Sequence, residues 1–197
     1  MALELHGTTG VSLVQDGIIT AADLASDAIT SSAMPAGSVL QVVTAIATEP
    51  QTITNVTSYT ALNDLSLNIT PTSASSKILL IANVNANTNF RYHSFRIYRD
   101  STPVGISTAT GVGNSELVSF HLGMNNSESN NQYIVQSGGG SVLDAPSTTS
   151  QITYSIQARV HYGSSGILYI NRPSYIDSNN SYTMYTTSNF IAMEIAQ

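Results

Sequence analysis

From Ile152 to Tyr162 apolar and polar residues alternate without a break. Ile152, Tyr154, Ile156, Ala158, Val160 and Tyr162 share one face, and Thr153, Ser155, Gln157, Arg159 and His161 share the other. A strand turns successive side chains to opposite faces, so this period of two predicts a strand with one buried face. Comparable runs cover Val39–Ala47, Leu65–Thr70, Ile78–Ala86, Ser94–Arg99, Leu117–Leu122, Gln132–Gln136, Ile167–Asn171 and Phe190–Ala196. Between them stand the turn formers TPTSASS, DSTPVG, GMNNSESNN, SGGG, DAPSTTS, YGSSG and PSYIDSNNS, and the triple glycine at 138–140 reads as a flexible turn. About nine strands in about 160 residues, with long and uneven connections, predict an all-β fold: a jelly-roll-like β-sandwich knob over residues 37–197. The last run reaches the C-terminus, so the chain end is expected to be tied into a sheet.

Residues 1–36 lack this alternation. Thr20 is placed to cap a short helix AADLAS, with Asp23 completing a capping box. So short a helix does not persist alone in water. The apolar residues around it, chiefly Val14, Ile18, Ile19, Leu24 and Ile29, need a partner, either sister chains or a groove in another protein. Disordered tails are poorer in Ile, Leu and Val than this segment. It therefore reads as an extended N-terminal arm for attachment and trimerisation.

Composition sharpens the picture. Charged residues are 9% of the chain, against roughly 25% in ordinary soluble domains. Their place is taken by 28 Ser, 22 Thr and 16 Asn, and Lys77 is the sole lysine. Long charged side chains oppose close subunit packing through their entropy, so a surface poor in them suits an assembled protein, here expected to be a homotrimer. A net charge of −6 with scattered arginines argues against nucleic-acid binding. No apolar run is long enough to span a bilayer, so no membrane insertion is expected. There is no cysteine, which excludes disulfides and cysteine-based metal sites and fits assembly in a reducing cytoplasm.

The segment VQDGIITAADLASDAIT followed by MPAGSVLQVV resembles the start of many small fibre-like structural proteins of tailed bacteriophages, particularly those of aquatic bacteria. The stretches ITPTSASSKILLIANV, DAPSTTSQITYSIQARV, YINR and FIAMEIAQ follow in that family's order, so the resemblance covers nearly the whole chain. It implies a virion protein of the tail-fibre kind, assembled in the bacterial host cytoplasm, with a trimeric β-rich head and no catalytic residues.

The chemically capable side chains bend this expectation little. The histidines His6, His93, His121 and His161 form no HxxxH or HExxH pair. Surface or subunit-contact roles are the simpler reading, a metal on a three-fold axis the alternative, and neither metal nor cofactor is expected. Asp64, Asp100, Glu116, Glu128, Asp144 and Asp177 fall in turn regions or at strand ends, where Asp stabilises turns; a glycosidase would need two of them converging in a cleft. No GxSxG, P-loop or GxGxxG after a strand occurs.

Tyrosines give the one functional hint. Tyr162, Tyr169, Tyr175, Tyr182 and Tyr185 crowd the end of the chain, and Tyr175 and Tyr182 bracket IDSNNS. Aromatic faces beside Asp and Asn suit sugar rings, which stack their C–H faces and hydrogen-bond through their hydroxyls. Tyr175, Asp177, Asn179, Asn180 and Tyr182 are the candidate glycan contact, while Tyr162 and Tyr169 read as core or interface residues. The loops Asn85–Tyr92 and Gly123–Asn131 are further candidate tips. The expectation is thus a trimeric phage tail fibre whose arm docks on other virion proteins of the tail or baseplate and whose knob contacts host surface glycan. Capsid decoration, in which the protein cements capsomers, is the alternative, and a receptor-cleaving enzyme is disfavoured.

Overall fold

The computed structural model describes residues 34–54, 58–88, 92–110, 116–123, 131–160, 166–177 and 183–197. The arm expectations on Val14, Ile18, Ile19, Leu24 and Ile29 lie outside the described residues, as do those on His6, His161 and Tyr162. Pro35–Gln197 forms one compact unit.

Its strands are β1 (Val39–Ala47), β2 (Gln51–Thr54), β3 (Thr60–Ile69), β4 (Lys77–Thr88), β5 (Tyr92–Arg99) and β6 (Thr102–Val104). They continue as β7 (Phe120–Gly123), β8 (Gln136–Asp144), β9 (Ile152–Val160), β10 (Ile167–Ile170) and β11 (Ser188–Ile195). All pairings are antiparallel and fall into two sheets. One runs β1-β11-β4, with β8 on the far side of β4; the other runs β3-β9-β5, with β6 and β7 both against β5. With the short β2, β6 and β10 set aside, the sheets are β1-β11-β4-β8 and β3-β9-β5-β7. The chain crosses between them at nearly every connection, which is the double Greek key of a jelly roll. The expected all-β jelly-roll sandwich is the observed fold.

The alternation in β9 works as the sequence implies. Ile152, Tyr154, Ile156, Ala158 and Val160 are buried against Leu80, Val84, Phe95, Ile97, Phe190 and Ala192. Phe95 and Phe120 stack in parallel with centroids 4.9 Å apart. A polar latch joins the sheets at the β8 end. Asp144 accepts two bonds from the Arg99 guanidinium, at 2.9 and 3.0 Å, and one at 2.6 Å from the hydroxyl of buried Tyr154. β11 lies between β1 and β4, and Ala196 exchanges backbone bonds with Gly37 and Ser38, so the chain end is indeed tied into a sheet.

Several local expectations are corrected. Residues 138–140 are not a turn: they lie in β8, paired with Ala82, Asn83 and Val84 of β4. A Cβ on Gly139 would sit 1.9 Å from the Ala82 carbonyl oxygen, and one on Gly138 would sit 2.4 Å from Leu122. These glycines let two backbones close on each other, which is the other meaning of glycine within a strand. Gln132–Gln136 is not a strand either, since Asn131–Tyr133 is one 3-10 turn and β8 begins only at Gln136. DSTPVG contains β6, a three-residue edge strand where Pro103 is tolerated, entered through Asp100 at φ 52°. Asp64 lies inside β3 at an irregularity in its pairing with β9, at φ 59°. The strand expected at Leu117 starts at Phe120, because the Ser119 hydroxyl, rather than backbone, takes the Ile97 N–H and donates to the Val104 carbonyl. Asn85–Thr88 belongs to β4 and is no loop tip.

Candidate functional site

The first sheet contains a break that builds a tip. β11 pairs with Lys77–Asn83 of β4, and β10 pairs farther along the same strand with Ala86–Thr88. β1 and β2 line up beside them, β1 on β11 and β2 on β10. β10 and β11 thus form one interrupted line, and residues 171–177 and 183–187 are the described limbs of the connection between them.

Asn171 roots this connection. It is fully buried at φ 61°, a left-handed conformation that Asn tolerates better than larger residues. Its N–H donates to the Asn85 carbonyl at 2.8 Å, and its carbonyl accepts the Thr186 N–H at 2.9 Å. Its side-chain Nδ2 donates to the carbonyls of Ala47, at 2.8 Å, and Glu49, at 3.3 Å. Oδ1 accepts from the buried Ser188 hydroxyl at 2.6 Å, and that hydroxyl oxygen accepts the Asn85 N–H. The side chain and backbone of Asn171, with the Ser188 hydroxyl, therefore pin both ends of the loop to β1 and β4.

The outgoing limb is held by its neighbours. Arg172 lies over the Tyr169 ring, 4.5 Å from its centroid, and donates to the Thr52 hydroxyl at 2.8 Å. The Ser174 hydroxyl and the Tyr175 N–H both donate to the Gln132 carbonyl. Tyr175 meets Tyr133 edge to face, with centroids 5.4 Å apart. The next residue, Ile134, is anchored by the Asn87 amide, which donates to its carbonyl. At the neck the Asp177 N–H donates to the Thr183 hydroxyl oxygen at 3.0 Å. The tip then presents Tyr175 and Tyr185 at 45% and 55% exposure, with Ile134, Ile176 and Met184 also exposed. Such a set of apolar faces on a hydrogen-bonded frame can stack a flat or ring-shaped partner without first ordering itself.

Of the sequence-derived contact residues, Tyr175 and Asp177 stand here. Asn179, Asn180 and Tyr182 lie outside the described residues. Tyr169 is on the outer side of the sheet beneath Arg172, rather than in the core. Sequence reasoning missed Tyr133 and Arg172. Tyr133 was hidden in a false strand; the spacing of Arg172 three residues after Tyr169 was the available signal.

The second concentration of chemistry lies on the outer face of the other sheet. Glu116 takes Arg159 at 3.1 Å, the Ser94 hydroxyl at 2.9 Å and a longer contact from Arg96 at 3.8 Å. Arg96 also donates to the Leu117 carbonyl and covers the Tyr59 ring at 4.2 Å. Burial, and then the neighbouring Glu116 carboxylate, push the Tyr59 hydroxyl well above its ordinary range and keep it protonated. This network straps segment 116–119 onto β5.

His93 is buried, its Nε2 2.9 Å from the Thr88 hydroxyl, whereas His121 is exposed on β7. Among the described residues no three His, Asp or Glu side chains gather as metal ligands. Among them, too, no helix is long and apolar enough to cross a membrane. No protein-family model matches this chain, and a comparison with curated proteins finds no match.

Proposed function

We propose that the protein is a structural subunit of a bacteriophage particle, a homotrimeric tail fibre whose sandwich contacts host surface glycan through the 171–187 tip. The observation that carries this reading is the tip itself. Exposed Tyr175 and Tyr185 are mounted on a loop whose two ends are fixed by Asn171 and whose outgoing limb is fixed by Gln132. Aromatic rings held toward solvent on hydrogen-bonded limbs suit a sugar contact, whose C–H faces they can stack. The ordered resemblance along the chain supplies the particle. The charged groups Glu116, Asp144 and Glu194 are each committed to several hydrogen bonds, in keeping with structural work.

Two measurements test it. Gold-labelled antibody against the protein should decorate the tail of the particle; label spread over the shell would assign capsid decoration instead. The purified full chain should bind cells of the propagating host, and Tyr175→Ala with Tyr185→Ala should reduce that binding at least tenfold with an unchanged melting temperature. Undiminished binding by the double variant refutes the tip assignment.

A further inference from the structure

The two outer faces of the sandwich differ sharply in chemistry. On the β3-β9-β5 side the outward positions carry Arg96, Arg159, Tyr98, Gln157 and Ser155, with Glu116 packed on them. On the β1-β11-β4-β8 side the register sets out cross-strand rows of another kind. Val42, Met193, Leu79 and Leu143 form one row, and Thr44, Ile191, Ile81 and Ser141 the next. Val39 with Ile195 borders them on one side. Ile46, Asn189 and Asn83 border them on the other, where the face turns from apolar to amide. The only charge on these rows is Lys77, at the margin beside Ile195.

Val39, Val42, Ile46 and Leu143 are each between 48% and 58% exposed. With the half-buried Leu79, Ile81, Ile191, Met193 and Ile195, the apolar area is on the order of 500 Å², at the upper end of what a single monomer leaves to water. The adjoining amide rows bring the face toward the ~800 Å² per partner that a stable interface needs.

We infer that this face is covered by copies of this same chain. A nearly uncharged surface has no charge complementarity to seek in a different, charged partner. Against itself it brings no like charges together, and its border of Asn side chains is self-complementary, because each amide both donates and accepts. The proposal deepens the homotrimer of the preceding section by assigning the surface, and it makes no use of the tip. Three such faces turned toward a common axis bury their apolar rows and leave the charged outer face of the other sheet in solvent.

Light scattering on the full chain at about 10 µM, the range in which stable interfaces hold, gives the test. Wild type should measure three chains, and Val42→Lys with Leu143→Lys should measure one, with an unchanged near-ultraviolet spectrum. Because the chain has no cysteine, Val42→Cys supplies a second readout: a maleimide should label it at least tenfold more slowly than Thr153→Cys on the opposite face. A two-chain wild type that the double variant splits keeps this interface and overturns the trimer. A wild-type monomer, an oligomer unaffected by both lysines, or equal labelling at positions 42 and 153 overturns the interface itself.

Discussion

Replacing Asn171 by alanine removes the amide that roots the tip loop. The Ala47 carbonyl loses its 2.8 Å donor, and the buried Ser188 hydroxyl loses its 2.6 Å acceptor. Each buried group left short of a partner costs about 1–2 kcal/mol. Alanine at φ 61° adds about 1 kcal/mol more, because asparagine carries the same Cβ but is better tolerated in the left-handed region, where its short polar side chain bonds locally. The expected loss is about 3–5 kcal/mol, a large part of the 5–15 kcal/mol that keeps a typical domain folded. Asn171→Gly separates the contributions: it loses the same hydrogen bonds, escapes the backbone strain, and should be about 1 kcal/mol more stable than the alanine variant. Urea melts at one fixed protein concentration, needed because subunit association shifts apparent stability, read this directly. At an m value of about 2 kcal/mol per molar, the alanine midpoint should fall by about 2 M. Limited proteolysis should also cut within 172–187 faster in both variants. An alanine variant within 1 kcal/mol of wild type, or one as stable as the glycine variant, would falsify the account of Asn171 as the root of the tip.

Three further outcomes follow from the same geometry. Asp144→Ala strands Arg99 and the Tyr154 hydroxyl between the sheets and should cost about 3–5 kcal/mol, while Tyr154→Phe removes one bond and should cost about 1–2 kcal/mol in the same melts. Gly139→Ala should disrupt the β4–β8 pairing and lower stability by about 3 kcal/mol or more, whereas Gly140→Ala, whose Cβ meets nothing closer than 3.8 Å, should stay within about 1 kcal/mol of wild type. For buried Glu194, burial raises the pKa, but hydrogen bonds from the Gln41 amide and from the Thr72 N–H and hydroxyl outweigh it and hold the carboxyl below its ordinary 4.5. A depressed folded-state pKa gives stability that is present above 4.5 and lost as pH falls through the lower folded value. The wild-type melting temperature should therefore drop below pH 4.5 more steeply than that of Glu194→Gln, and parallel curves would contradict the assignment.

Alternation along the chain determined the architecture at the level of layers. In β1, β4, β9 and β11 the period of two is local, surviving in any window of the sequence, because each strand buries one face whatever its partners are. The all-β class, the sandwich and the tied C-terminal strand were legible for that reason. Tyr175 and Asp177 were legible as a turn with an aromatic beside it.

Tertiary structure decided whatever depends on two distant backbones approaching each other. Gly138–Gly140 has the composition of a turn, and only the closeness of Ala82 and Leu122 makes it a strand. Ser119 replaces a ladder position because Ile97 and Val104 happen to flank it. Asn171 reads as an ordinary strand end until Ala47, 124 positions away, is brought within hydrogen-bonding reach of its amide. Tyr133 faces Tyr175 only because the 3-10 turn and the β10–β11 connection share the Gln132 carbonyl. The apolar rows Val42–Met193–Leu79–Leu143 likewise exist only in the folded register, since their members come from four strands that no sequence window contains together. Local patterning encodes which side of a strand is buried; which strands meet, and what their meeting exposes, is settled by packing.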